Sequence, residues 1–415
     1  MAAIPAMAQT VRQPDTVLLN DAIWLGSSDR MADLLTSQPP EYLRSVAQGG
    51  QPPFLARLGK LAFRSPFVVG GRAGRLGLSC NTCHPNGGAN ADFFVEGLSD
   101  RPGSVDVTHA FWNRRADDGF FNPVNVPSLR GARLTAPYGR DGRFASLAEF
   151  TRHVIVTEFG GDEPEPLILD ALVAYQLDLA LLPNPLVDAG GQLAAAALPL
   201  ARAAAGLFAR DCGSCHGPDG GFVDGRRHDV GTDGHFDTPV LLGLAESAPY
   251  FHDGRAADLA AVVDHFDEVW SLGYDLDERR AVIAYLEAVG AVDRRREPVT
   301  LSATVAALQD FAALVREPLK SEDAALVDLV VDMVRLEIGR LHQRFPAPEH
   351  GAARETIGGW AHALRRVARL AEQGAFPAAR TALVGWHANV ADSWPSLETV
   401  ARTSLFNPRA IPPGG

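Results

Sequence analysis

The sequence predicts a mainly α-helical chain in which two tandem repeats are followed by a C-terminal helical extension. Three observations predict this organisation. A short motif of two cysteines and a histidine occurs twice, a longer block of sequence also occurs twice, and the last part of the chain has apolar residues at helical spacing. The predicted divisions are a tail at 1–20, a first repeat at 21–185, a second repeat at 190–295 and an extension at 296–415.

The short motif is C-x-x-C-H, found in SCNTCHPNGG (79–88) and again in DCGSCHGPDG (211–220), and its two copies use all four cysteines of the chain. A thioredoxin-like dithiol would need one pair within a βαβ pattern, and a four-cysteine zinc site would leave both histidines without a role. In c-type haem proteins the two thiols bond the porphyrin and the histidine ligates the iron. The motifs therefore predict two covalently bound haem c groups, held by Cys80, Cys83, His84, Cys212, Cys215 and His216.

The longer block is a gapless duplication. VPSLRGARLTAPYGRDGRFASLAEFTRHV (126–154) aligns with TPVLLGLAESAPYFHDGRAADLAAVVDHF (238–266) at an offset of 112 residues, and both copies contain APYxxDGR. Each copy follows one C-x-x-C-H motif. The offset therefore assigns each residue of one repeat an equivalent in the other.

Helical periodicity surrounds both copies. Helical runs follow them at 165–182 and 276–290, and an alanine-rich run at 193–211 precedes the second motif. A helix, a haem motif, a Gly/Pro-rich loop and a closing helix form the plan of a small c-type cytochrome domain. We therefore predict two tandem c-type cytochrome domains, with haem 1 in 21–185 and haem 2 in 190–295.

The extension at 296–415 contains no catalytic motif and no phosphate-binding loop. Its longest amphipathic run is 323–345, and breaks occur near Pro318, 345–351 and 374–377. We predict three or four helices, packed as a bundle or against the cytochrome domains. The histidines of this region are interpreted as surface or packing residues.

Composition excludes two functional classes. The formal net charge of −12 and the lack of a basic cluster argue against a nucleic-acid partner. The longest apolar stretch, 167–187, carries Asp170 and Asp178, so no membrane span is predicted. The first residues include Ala6-Met7-Ala8, an A-x-A pattern, and 1–20 is interpreted as a signal-peptide remnant with an N-terminal tail. Because bacteria attach haem c outside the cytoplasm, a periplasmic location is predicted.

With these motifs the chain resembles the bacterial di-haem cytochrome c peroxidases and the related MauG-like enzymes. The resemblance rests on two C-x-x-C-H domains, each with a P-x-L-x-G segment leading to APYxxDGR, and covers roughly 50–292. It implies that hydrogen peroxide reacts at the N-terminal haem, that the C-terminal haem relays or stores electrons, and that calcium lies between the domains.

The resemblance also implies roles for individual residues. Asn125 falls where the family uses an asparagine side chain for calcium, and the carbonyls of Ser247 and Pro249 fall on its backbone partners. An ordinary loop asparagine is the alternative. Glu158 falls near the family's distal glutamate, where a buried carboxyl group shuttles a proton during O–O cleavage, with a solvated loop acid as the alternative. His153 could share this catalytic work, or it could ligate haem 1.

Three positions depart from the family. Phe266 replaces the methionine or tyrosine that usually ligates the second haem, Arg140 replaces a tryptophan between the haems, and Phe150 replaces a glutamine of the peroxide pocket. No methionine lies in the second repeat. We therefore predict His265, the neighbour of Phe266, as the sixth ligand of haem 2, with His252 as the next choice. The alternative places His265 on the propionate side and leaves haem 2 five-coordinate or water-bound.

Three functions remain open from the sequence. The first is a peroxide-dependent oxidoreductase that receives electrons from a small redox donor protein. The second is a MauG-like oxidase whose substrate is a side chain of a partner protein. The third is a two-haem electron-transfer cytochrome. The duplicated APYxxDGR block favours the peroxide-dependent oxidoreductase.

Overall fold

The computed structural model describes residues 31–188, 191–292 and 295–411, and helices dominate these ranges, which confirms the predicted mainly α class. The helices are α1 Met31–Thr36, α2 Arg44–Ala47, α3 Phe54–Phe63, α4 Pro66–Val69, α5 Gly71–Arg75, α6 Cys80–Cys83, α7 Leu147–His153, α8 Pro166–Asp178, α9 Pro199–Ala203, α10 Ala205–Asp211, α11 Leu259–Trp270, α12 Leu276–Val289, α13 Leu301–Ala313, α14 Arg316–Lys320, α15 Ala324–Gln343, α16 Gly351–Glu372, α17 Phe376–Ser393 and α18 Glu398–Ala401. The predicted tail at 1–20 lies outside the described residues. No described helix is long and apolar enough to cross a membrane.

Three short antiparallel strand pairs join distant parts of the chain. The strands are β1 Ser37–Gln38, β2 Ser104–Val105, β3 Val124–Asn125, β4 Arg227–Asp229, β5 His235–Asp237 and β6 Glu297–Pro298. They pair as β1 with β6, β2 with β3, and β4 with β5. The β1–β6 pair places the first described segment beside the start of the extension.

The extension forms a helical layer that packs on the first repeat. One continuous core cluster contains Leu61 of α3, Leu172 of α8, Val330 of α15 and Trp360 of α16. Both predicted arrangements therefore occur together, since α16 packs on α15 and on α17, while α13 and α15 contact α3 of the first repeat. The second repeat has a separate core around Phe208, Leu241, Val263, Tyr285 and Val289.

Helices α3 and α8 approach each other closely inside the first repeat. A Cβ atom at Gly59 would lie 1.9 Å from the carbonyl oxygen of Ala171, so only glycine fits at this crossing. A salt bridge of 3.0 Å from Arg64 to Glu337 joins α3 to α15. Burial acts to raise the pKa of Glu337, but Arg340 and Arg64 outweigh burial and lower it.

The duplicated block has the same backbone path in both repeats. Gly131 and Gly243 are left-handed, with φ angles of 76° and 82°, and each begins a short 3₁₀ turn. An isolated antiparallel bridge then joins Tyr138 to Phe144 in the first repeat and Tyr250 to Ala256 in the second. The duplication seen in the sequence is therefore a duplication of structure.

The two repeats contact each other reciprocally. The backbone N–H of Asn125 donates to the carbonyl of His252 over 2.9 Å, and the backbone N–H of Asp237 donates to the carbonyl of Arg140 over 2.8 Å. The 112-residue offset pairs Asn125 with Asp237 and Arg140 with His252. The second contact is therefore the first one with the two repeats exchanged. Exchanged contacts of this kind are what an approximate two-fold axis between the repeats produces.

Candidate functional site

A cavity of about 610 Å³ is shared by the two repeats. Its wall includes His84 and His216 and all four cysteines, together with a majority of apolar side chains. The structure therefore brings the two C-x-x-C-H motifs, which lie far apart in the sequence, to one interior space.

Both motif histidines have the same hydrogen bond. His84 Nδ1 lies 2.8 Å from the carbonyl oxygen of Pro127, and His216 Nδ1 lies 2.7 Å from that of Phe222. A carbonyl can only accept, so each Nδ1 carries the proton and each Nε2 keeps a free lone pair. Burial lowers the pKa of His84 to about 4 and also lowers the pKa of His216, so both rings stay neutral. A neutral, oriented imidazole is the form that ligates a metal.

The local fold of each motif positions its histidine. Cys80–Cys83 forms one helical turn that is capped by Ser79 and Thr82, and the N–H of His84 donates to the carbonyl of Cys80 over 2.8 Å. In the second motif the N–H of His216 donates to the carbonyl of Cys212 over 2.9 Å. Four cysteine thiols outside disulfide bonds and two oriented histidines on an apolar cavity fit two covalent haem groups.

The four cysteines do not form one metal cluster in the described residues. Burial raises the pKa of Cys80 and that of Cys212 to about 12 each. In the described part of the chain, one group of three His, Cys, Asp or Glu residues has its ligand atoms within 4.8 Å of one another, namely Cys215, Asp224 and His228. It uses a single cysteine. The sequence analysis did not single out Asp224 or His228, because only the folded hairpin β4–β5 brings them to Cys215.

Glu158 lies on the cavity wall of the first repeat. It ends a π-helical turn at Val154–Glu158 that continues α7, and π-turns occur often at functional sites. Its Oε1 atom lies 3.8 Å from Arg143 Nη2 and 3.8 Å from His153 Nε2, and its side chain is 13% exposed. Burial raises the pKa of Glu158, although Arg140 and Arg143 oppose this effect. The carboxyl group is therefore able to hold a proton where it faces the cavity.

His153 is placed one layer away from the cavity. Its ring lies 4.9 Å from that of Phe144, and it is not among the residues that line the cavity. Burial lowers the pKa of His153, and Arg143 lowers it further. This geometry suits a residue that supports Glu158 and does not support His153 as a ligand of haem 1.

Arg140 places a guanidinium group on the shared cavity. Its Nη2 atom donates to the carbonyl oxygen of Asn125 over 2.5 Å. Burial lowers the pKa of Arg140 to about 10, while Glu158 acts to raise it. At the position where the resembled family has a tryptophan, this protein therefore has the guanidinium cation of Arg140.

The residues predicted to bind calcium are partly brought together. Asn125 Nδ2 donates to the carbonyl oxygen of Pro249 over 2.7 Å, and Ser247 lines the same cavity. Calcium is coordinated by oxygen atoms, so the Asn125 amide would have to turn its oxygen toward the ion and give up this hydrogen bond. In the described structure Asn125 and Pro249 bind each other directly.

The second repeat turns Phe266 toward the cavity and His265 away from it. Phe266 lines the cavity, whereas His265 Nε2 lies 2.7 Å from the carbonyl oxygen of Val230. Adjacent helical residues point about 100° apart, so α11 cannot direct both toward one iron. In the described structure the side chain of His265 therefore does not face the cavity, and its role as the sixth ligand of haem 2 stays a prediction. His252 does line the cavity, with its ring stacked 4.0 Å from that of Phe236.

No protein-family model and no curated protein matches the chain. Among solved structures the chain is similar to a chain of Kuenenia stuttgartiensis hydrazine synthase pressurised with 20 bar xenon. The identity is 19%, the match covers 69% of this chain and 100% of that chain, and the TM-score is 0.43.

Proposed function

We propose that this protein is a periplasmic di-haem c-type oxidoreductase that reduces hydrogen peroxide in the first repeat and receives electrons through the second. One observation carries the proposal. His84 and His216, both neutral and both held through Nδ1 by a backbone carbonyl, line one cavity together with the four motif cysteines. Covalent haem attachment is the chemistry that uses all six residues at once.

The haem groups would be held by two matched sets of residues. His84 and His216 would ligate the irons, and the thiols would form the thioether bonds, with Cys80 and Cys83 at the first haem and Cys212 and Cys215 at the second. Bound haem supplies an iron that gives or takes one electron at a time.

The first repeat offers the proton chemistry that peroxide reduction requires. Each hydrogen peroxide takes up two electrons and two protons and yields two water molecules. Glu158 faces the cavity with a raised pKa, so its carboxyl group can take a proton from one peroxide oxygen and give it to the leaving oxygen. Arg140 and Arg143 line the same wall and would stabilise negative charge that develops as the O–O bond breaks.

The electrons would come from a small redox donor protein. A protein that only carries electrons has no use for a buried, proton-holding carboxyl group beside two cavity-lining arginines. The contents of the first pocket therefore favour the peroxide-dependent enzyme over the plain electron carrier.

The substitution Glu158→Gln tests the proposal because it removes the proton while it keeps the shape of the side chain. We expect peroxide consumption to slow by about 10²-fold or more, the contribution usual for general acid–base catalysis. Glu149→Gln, at an exposed acid on the preceding helix α7, is the matched control and should keep the parent rate. An unchanged rate in Glu158→Gln protein with two bound haems would contradict the assigned role.

A further inference from the structure

We propose that the second haem pocket is a binding site for small neutral diatomic molecules, such as carbon monoxide or nitric oxide, with no protein side chain as a sixth ligand. This inference rests on the proposed function, because it assumes that His216 holds a haem. Under this proposal the iron held by His216 keeps a free coordination position, and aromatic side chains form the wall that faces it.

The wall consists of three aromatic residues. Phe266 and Trp270 stand one helical turn apart on α11 with ring centroids 4.6 Å apart, and the ring of Phe251 lies 5.9 Å from that of Phe266. All three line the cavity that also contains His216. Neither a phenyl ring nor an indole ring ligates haem iron, so this wall leaves a coordination position free.

The nearest histidine is already engaged. His265 Nε2 is bound to the carbonyl of Val230, and its ring packs 4.7 Å from that of Phe251. Reaching the cavity would require α11 to rotate by about 100°, which would expel Phe266 from the wall.

Two other histidines line the cavity. His228 Nε2 lies 2.7 Å from Asp224 Oδ2, and the same side chain is grouped with Cys215, which belongs to the attachment motif. His252 lies at the junction of the repeats, where its ring is stacked on Phe236. Its Nδ1 atom is buried and has no hydrogen-bond partner in the described structure, so His252 is the competing ligand that the experiment below has to test.

The tyrosines of the second pocket are also bound. The hydroxyl of Tyr250 donates to the carbonyl of Leu244 over 3.2 Å, and that of Tyr274 donates to Asp211 Oδ2 over 2.8 Å. Burial raises the pKa of Tyr274, and the hydrogen bond to Asp211 raises it further, so this phenol stays protonated. A neutral phenol is a poor ligand for iron.

The charges on the cavity wall select the kind of ligand. Each arginine that lines the described cavity, namely Arg130, Arg140 and Arg143, belongs to the first repeat. Of the three, Arg140 lies at the junction of the repeats, where it is bound to the carbonyl of Asn125. An anion in the second pocket would therefore be desolvated without a cationic partner from its own repeat, which is costly, whereas a neutral diatomic molecule loses little hydration. We expect carbon monoxide to bind at both haems and fluoride to bind only at the first.

The test is a carbon monoxide titration of the reduced full-length protein, after mass spectrometry has confirmed two haems per chain. The parent should bind two molecules per chain, and its oxidised form should show a high-spin signal from haem 2 in electron paramagnetic resonance. Phe266→Met places a thioether at the wall and should reduce the stoichiometry from two to one, with conversion of haem 2 to low spin. His265→Ala is the matched control and should keep two molecules per chain.

Several results would overturn the inference. A parent that is low-spin at haem 2 and binds one carbon monoxide, with the second site opened by His252→Ala, His228→Ala or His265→Ala, would show that a histidine ligates haem 2. Two bound molecules in both Phe266→Met and Phe266→His, with helicity retained in circular dichroism, would show that residue 266 does not face the iron, which removes the aromatic wall on which the inference rests. Fewer than two haems in the parent would instead refute the proposed function, so the two failures are distinguishable.

Discussion

The two repeats share a backbone path but present different chemistry to one cavity. The 112-residue offset makes Glu158 the equivalent of Trp270 and Arg140 the equivalent of His252. The first repeat thus places a carboxyl group and a cation where the second places an indole and an imidazole, and all four line the cavity. The two repeats are similar frames that differ in chemistry at these two pairs of positions.

The local helix geometry differs at the same place. In the second repeat α11 continues as a regular helix to Trp270, whereas in the first α7 ends at His153 and the chain widens into the π-turn Val154–Glu158. A π-turn accommodates more residues than an α-turn, so it changes the direction of the side chains that follow. His153 and His265 share one register, and neither lines the cavity. Each packs against a phenylalanine ring, His153 on Phe144 and His265 on Phe251.

The largest expected effect comes from removing one haem at a time. Mass spectrometry of the parent should show two haem additions that resist acid–acetone extraction. Replacing Cys80 and Cys83 with alanine should leave one haem and abolish peroxide consumption, because Glu158 lies in that pocket. Replacing Cys212 and Cys215 should also leave one haem, but the single reaction of peroxide with a pre-reduced first haem should survive. Equal losses of this reaction in both variants would contradict the proposal that peroxide reacts in the first repeat and electrons arrive through the second.

A smaller effect is expected from loss of the salt bridge between Arg130 and Glu246, which has no counterpart at the equivalent position of Arg130 in the second repeat. Arg130, 2% exposed, pairs with Glu246 of the second repeat and donates to the carbonyl of Pro40, and the equivalent of Arg130 is Leu242. Arg130→Leu leaves the Glu246 carboxylate near the interface without its cation. We expect the free energy of unfolding in urea to fall by about 3–5 kcal/mol.

The double variant Arg130→Leu with Glu246→Leu provides the control, because removing both charges also removes the unpaired one. It should recover most of the lost stability. A single variant as stable as the parent would show that this pair does not join the repeats.

The smallest effect concerns the equivalent residues Asn125 and Asp237. Burial raises the pKa of Asp237 from 3.8 to about 7, the N–H of Thr238 acts to lower it, and Asp224 raises it further. The folded protein therefore binds this proton more tightly than the unfolded chain does. The resulting stabilisation is fully present below about pH 4 and is lost as the pH rises through about 7.

Asp237→Asn should make the second repeat resemble the first at this position. We expect urea unfolding to show that the variant loses less stability than the parent between pH 5 and pH 8. Asp229→Asn, at an exposed aspartate of the same hairpin, should keep the pH dependence of the parent. An unchanged slope in Asp237→Asn would mean that another group titrates in this range.

The sequence by itself determined the helical class, the duplication and the six residues proposed to hold two haems. These features depend on spacing along the chain, and a C-x-x-C-H motif or a gapless offset is complete within a few dozen residues. Glu158 was named as a candidate distal acid through a family resemblance, and its burial became visible only in the fold. The predicted haem groups, peroxide chemistry and periplasmic location stay predictions.

Tertiary structure decided which neighbouring residue faces the cavity and which parts of the chain meet. His265 and Phe266 are adjacent in sequence, and the rotation of α11 against Val230 directs the aromatic ring inward. From the sequence, Arg140 was known only as a departure from the tryptophan of the resembled family. Folding places its guanidinium between the repeats. Side-chain direction and reciprocal contact depend on packing between segments more than a hundred residues apart, and such contacts leave no local pattern in the sequence.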